Sequence, residues 1–231
     1  ASVASSAVIN IILKEPLDNR ISGSVKVGYG LRSSQQQESE NKQINIQADG
    51  RDNAWSYSVS ANQMWVDNTS LTKTETATGT REQARTVNRT MQMFAPRLQY
   101  DLDDQQKLIA ELFYRNIKMD GYSANQTQDD KNDSIRLNTR YERKDKDLSD
   151  KIRLSVERQT ETQLTRSLQN TIYTDETINE YGLAYDGMRK LDPDRQIKFG
   201  VDARSNNLDS NVSDSLDEQR YALYAEGSWR F

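Results

Sequence analysis

A chain of 231 residues with 34% hydrophobic and 29% charged content and a mean hydropathy of −0.93 is too polar for an ordinary buried core. It contains no Cys and no His, so it has no disulfide, thiolate metal site or imidazole base, and the expectation is a protein that is not an enzyme. A net charge of −4, with Lys and Arg interleaved among Asp and Glu, leaves no basic footprint for nucleic acid.

The chain opens with AVINIILKEPLDNRISGSVKVGYG. In VINIIL, Asn10 is the only polar residue, which suits a short strand covered on both faces. Pro16 then removes a backbone donor, and residues 15–20 read as a linker. From Ile21 the rhythm is strict alternation, with Ile21, Gly23, Val25, Val27 and Tyr29 set against Ser22, Ser24, Lys26 and Gly28.

The same period of two recurs about ten times. Ile44, Ile46 and Ala48 form the second block, and Trp55, Tyr57, Val59, Ala61 and Trp65 the third. Phe94, Leu98, Tyr100 and Leu102 follow, then a fifth block in which Ile109 and Phe113 fall on the wrong face. Ile135, Leu137 and Tyr141 return to form, as do Ile152, Leu154 and Val156. The last three blocks carry Tyr181, Leu183 and Tyr185; Ile197, Phe199, Val201 and Ala203; and Tyr221, Leu223, Ala225, Trp229 and Phe231. No stretch reaches the roughly 18 apolar residues of a membrane-spanning helix, so the chain is either soluble or crosses a membrane as strands.

Connections alternate in length. GRDNA, DLDDQQ, KDKDLSDK and MRKLDPDRQ are short, while residues 30–42, 66–90, 119–133, 160–177 and 205–219 read as long loops. All long loops then emerge at one end of an antiparallel up-and-down sheet, as they do in an outer-membrane barrel with short periplasmic turns and long extracellular loops. Tyr29, Trp55, Trp65, Tyr100, Tyr114, Tyr141, Tyr185 and Trp229 fall near strand ends, where interfacial girdles sit.

A soluble β-sandwich or solenoid also has one wet face. Against it stand the charges along single strands, such as Arg136, Arg140 and Glu142, or Lys198, Asp202 and Arg204, which suit a water-filled or plugged lumen. The alternation predicts Tyr57, Val59, Leu137, Val201 and Leu223 pointing to lipid, and Ser58, Arg136, Asn138, Lys198 and Asp202 pointing inward. The fold expected is all-β, an antiparallel transmembrane β-barrel of which about ten strands are present.

AVINIILK, followed at once by the first alternating strand, and the closing YALYAEGSW resemble TonB-dependent outer-membrane receptors. In that family the plug domain ends in a segment similar to G-x-I-N-I-I-T-K, which Asn10, Ile11, Ile12 and Lys14 match; Leu13 stands for the usual Thr and Ala7 where Gly is common. The resemblance implies that residues 1–19 are the end of a plug and its linker, and residues 20–231 part of the wall. About ten strands fall short of the about 22 of a plugged barrel, so a fragment is expected. It further implies a Gram-negative outer-membrane transporter of a scarce small-molecule ligand such as a ferric siderophore, with lipid as one partner and TonB, acting through the missing plug segment, as another. A passive porin or adhesin-like barrel and a soluble carbohydrate-binding β domain are the alternatives.

No catalytic, cofactor or metal residue is assigned. Arg81, Arg85, Arg89, Tyr122 and Tyr173, in the loops, suit an anionic or aromatic ligand such as a ferric catecholate. Asp209, Asn211, Asp214 and Asp217 offer oxygen donors for Ca²⁺ but lack the Gly and spacing of an EF-hand loop, and they read as a solvated loop. Asp103 and Asp104 fit turn chemistry rather than catalysis. The segment 66–90 is expected to be extracellular, and either mobile or a polar hairpin extension.

Overall fold

The computed structural model describes residues 21–33, 37–76, 79–123 and 125–229, and the side chains among them other than those of residues 32, 33, 37, 71–76 and 79–84. The plug-end motif Asn10, Ile11, Ile12 and Lys14, the 1–19 segment and Phe231 lie outside the described residues.

The described residues form one sheet of ten strands: β1 (Ile21–Ser33), β2 (Gln37–Asp52), β3 (Trp55–Thr76), β4 (Gly79–Asp101), β5 (Gln106–Ser123), β6 (Gln126–Lys144), β7 (Leu148–Ser167), β8 (Thr171–Asp192), β9 (Arg195–Ser210) and β10 (Leu216–Trp229). Each pairs antiparallel with its neighbour in sequence order, with no crossover, as the alternating blocks predict. β1 and β10 are edge strands, and no β1–β10 pairing closes the sheet among the described residues.

Register carries the tilt. Hydrogen-bonded partners followed from Trp55, the first residue of β3, run through Tyr100, Leu108, Tyr141, Ile152 and Tyr185 to Val201. Val201 lies six residues beyond Arg195, where β9 begins. That stagger of about one residue per strand is about 3.3 Å of rise for each roughly 4.8 Å sideways, a tilt of about 35° and typical of a barrel wall.

The faces are inverted relative to a water-soluble domain. Arg97 is 12% exposed through its side chain, whereas Leu98 beside it is 44% exposed. Only Ile109 and Ala184 are buried hydrophobics among the described residues, and both lie on the polar, sheltered face. Ile109 sits there between Gln99 and Arg140, in the place its broken alternation predicts.

On the opposite face, apolar outward residues run up β3 to β10 as far as Ala61, Phe94, Tyr114, Ile135, Val156, Tyr181, Ala203 and Tyr221. The next outward residues are Gln63, Gln92, Asn116, Asp133, Arg158, Asn179, Ser205 and Gln219. Counted from the short-turn ends, the last apolar position is between the seventh and the twelfth residue of these eight strands, close to the span a tilted strand needs to cross a bilayer. Trp55 and Tyr100 stack at the lower edge of the belt with ring centroids 4.5 Å apart.

Of the two forms expected for 66–90 the structure has the hairpin, and the other long connections are shorter than the loops expected. β3 and β4 are 22 and 23 residues long, and their ladder continues to Thr76 opposite Gly79, so most of 66–90 is a raised hairpin. The same holds for 119–133, 160–177 and 205–219, where strands continue to Ser123, Ser167 and Ser210. On these extensions apolar residues such as Val66, Val87, Leu164 and Ile172 are scattered among polar ones and show no sustained alternation. Backbone pairing holds them, with cross-strand contacts such as Thr69 Oγ1 to Thr86 Oγ1 at 3.3 Å.

Aromatic rings cover three strand glycines that stand directly opposite them: Tyr57 over Gly50, Phe199 over Gly187 and Tyr224 over Gly200. At Gly200 an added Cβ would meet the Tyr185 carbonyl oxygen at 2.5 Å as well as the Tyr224 ring. Tyr224 crosses this glycine to donate its hydroxyl to Asp186 at 2.6 Å. Gly200→Val is therefore expected to cost about 1–3 kcal/mol, read as a lower urea midpoint for folding in detergent. Gly30→Val, where the nearest atom is 4.0 Å away, should cost far less.

Candidate functional site

The sheltered face is a lattice of paired charges, because alternation delivers every second residue to it and neighbouring strands bring opposite signs together. Arg97 meets Glu111 at 3.4 Å, Arg136 meets Glu157 at 2.5 Å, and Arg153 meets Asp186 at 2.7 Å. Glu142 receives Arg140 at 2.8 Å, Lys107 at 3.4 Å and Lys151 at 3.6 Å. A depression of about 250 Å³ lies among Glu111, Asn138, Arg140, Arg153, Asp202 and Arg204. Gly182 leaves room at its floor, since a Cβ there would strike Ser155 Oγ at 2.4 Å. Most of the charges named here have an opposite charge within ion-pair distance on the same face.

The residues predicted to touch a ligand divide between the two faces. Arg85 and Arg89 share the sheltered face of β4, Arg85 opposite Ser70 and Ser123, and Arg89 opposite Val66 and Met119. Arg81 occupies the same parity further along β4, at the register position opposite Thr74. Tyr122, opposite Thr86 and Thr127, and Tyr173, opposite Leu164, belong to the outward face and are half exposed. Tyr173 donates its hydroxyl to Asp175 at 3.1 Å, and this hydrogen bond to the carboxylate raises its pKa. The structure thus groups the arginines and leaves both tyrosines apart from them.

The other polar motifs are occupied locally. Asn211 caps the β8 extension, its Oδ1 accepting from the Asp175 amide at 2.8 Å and its Nδ2 donating to the Tyr173 carbonyl at 3.1 Å. Asp209 accepts from Ser215 and Asp217 from Asn207. Among the described residues no group of three or more acidic side chains is arranged to hold a metal ion. Asp103 accepts from the Gln105 amide at 2.8 Å and from Gln106 Nε2 at 2.6 Å, the turn role its position predicts.

Four methionines, Met64, Met91, Met93 and Met119, were not marked by sequence reasoning, yet the register gathers them on the sheltered face of β3, β4 and β5. The M-Q-M spacing of residues 91–93 is the one signal that pointed there, since a strand places both on one side.

A tilted meander with an apolar outer belt, a charged inner face and hairpins raised at one end is a wall segment of a large outer-membrane-type β-barrel. Solved structures share this fold. FpvA of P. aeruginosa, in complex with iron and a heterologous pyoverdine, matches with a TM-score of 0.74 and 9% identity over 91% of this chain and 36% of its own. The ferric preacinetobactin receptor BauA of Acinetobacter baumannii matches at 0.62 and 10%, covering 89% and 40%. The siderophore receptor PiuA of the same species matches at 0.60 and 8%, covering 90% and 42%. The chain therefore spans about two fifths of the length of these proteins, and at such identities the likeness is one of fold. No protein-family model matches the sequence, and no curated protein matches it.

Proposed function

We propose that this chain is part of a TonB-dependent receptor in the Gram-negative outer membrane that captures and imports a scarce iron chelate such as a ferric siderophore. The observation that carries the reading is the uniform apolar belt beneath hairpins that all rise from one edge, on a sheet whose sheltered face is charged. The similar solved structures include a siderophore receptor and a ferric preacinetobactin receptor, which supports iron chelates as cargo. In this reading residues 1–19 end a plug on which TonB acts, and residues 20–231 line the lumen and meet lipid outside. Arg81, Arg85 and Arg89, in file along β4, offer guanidinium donors to an anionic chelate. Tyr122 and Tyr173 sit where they reach a ligand only at the rim. The role is transport rather than catalysis.

The test is growth promotion. The full-length protein, expressed in an Escherichia coli strain stripped of its own siderophore receptors, should restore growth under iron limitation on some member of a ferric catecholate, hydroxamate and carboxylate panel. Deleting tonB should abolish that growth. Uptake that persists without TonB would return the protein to the passive porin class.

A further inference from the structure

Met64 stands directly opposite Met91, and Asn62 directly opposite Met93. Because residues two apart on a strand share a face, these four are the corners of one cell of the sheltered face, about 5 Å across the strands and about 7 Å along them. All four are half-buried. Asn62 Oδ1 is buried and has no hydrogen-bond partner, so the cell contains an unused oxygen donor beside three thioethers. A methionine side chain has three rotatable bonds and a polarizable sulfur, which lets three of them converge from corners this far apart.

We propose that Met64, Met91 and Met93 form a binding site for a soft monovalent cation, Cu(I) or Ag(I), with Asn62 Oδ1 as a weak fourth donor. Thioethers select such ions, whereas hard Fe(III) prefers the oxygen donors of its chelator. Arg89 and Arg115, which border the cell, oppose a divalent cation more strongly than a monovalent one. The site is distinct from capture of an iron chelate by the β4 arginines and does not depend on it.

Ordinary apolar packing beside Val66 and Ile117 is the competing account of these methionines, and Met→Leu separates the two because it conserves volume while removing the sulfur. Full-length protein in detergent would be titrated with Ag(I) alone by calorimetry, and with Cu(I) in competition with bicinchoninate. One equivalent should bind to the native protein. Met64→Leu/Met91→Leu/Met93→Leu should weaken it about 100-fold or more, a loss of about 2.7 kcal/mol. Met119→Leu/Met188→Leu should leave it unchanged. Heat-modifiable electrophoretic migration reports folding, and Met91→Leu alone serves if the triple variant does not fold. Native protein that takes up neither ion at micromolar concentration, or a folded leucine variant that binds as the native does, overturns the proposal.

Discussion

Val59→Arg and Leu154→Arg will each destabilise the protein in a bilayer by about 2–4 kcal/mol, the cost of a guanidinium on the lipid side near the midplane of a barrel. Both residues lie within the apolar belt, Val59 opposite Ala48 and Pro96, and Leu154 opposite Thr139 and Leu183. Ser60→Arg, one residue away, enters the sheltered face between Gln47 and Ala95 and should cost less than about 1 kcal/mol. Folding titrations in urea into lipid vesicles measure the difference. Equal costs at Val59 and Ser60 would mean that neither face meets lipid, and the belt would then need another covering.

These strands were legible because one face of each is apolar over about nine residues, which gives a period that no helix shares. All ten blocks correspond to observed strands. Connectivity was legible too, since short polar turns allow only neighbouring strands to pair. What escaped was the upper half of β3, β4, β7 and β8. There the outward positions are taken by polar residues such as Thr69, Asn88, Thr160 and Thr177, so hydrophobic alternation stops where backbone pairing does not. Contacts that depend on register escaped for a different reason. Met64 and Met91 are 27 positions apart, and only the pairing of β3 with β4 makes them neighbours. Tyr224 over Gly200 likewise follows from a register that neither β9 nor β10 reveals alone. The arginines and tyrosines of the candidate ligand site all fall in segments that read as loops, the arginines in 66–90 and the tyrosines in two others, and register sends the two residue types to opposite faces.

The hairpin of β3 and β4 is expected to be dispensable for folding and necessary for ligand capture. Ser70 pairs with Arg85, so removing residues 71–84 and joining these partners through Asn-Gly preserves the ladder below and supplies the two-residue turn it needs. Extensions of this kind contribute no apolar burial to the belt, and shortening a connection changes closure entropy by only about 1 kcal/mol. The shortened protein should therefore fold into vesicles with the native urea midpoint. It would lose Arg81 but keep Arg85 and Arg89, so the Arg85→Ala/Arg89→Ala variant of the intact hairpin isolates their share. Each charge-assisted hydrogen bond to an anionic chelate contributes about 1.5–3 kcal/mol, and the double variant should bind the chelate about 100-fold more weakly. Binding is measured by quenching of tryptophan fluorescence with the chelate that supports growth. Undiminished affinity in the double variant would move the ligand away from β4, toward the depression bordered by Arg140, Arg153 and Arg204 lower on the same face. The side of the membrane is tested separately. Trypsin added to intact cells should cut near the hairpin tip, after Lys73 or Arg81, and spare Arg97, which lies within the belt where Arg51 and Asp101 mark the short-turn end. Cleavage seen only after the outer membrane is opened would place the raised hairpins in the periplasm, where they meet no external ligand.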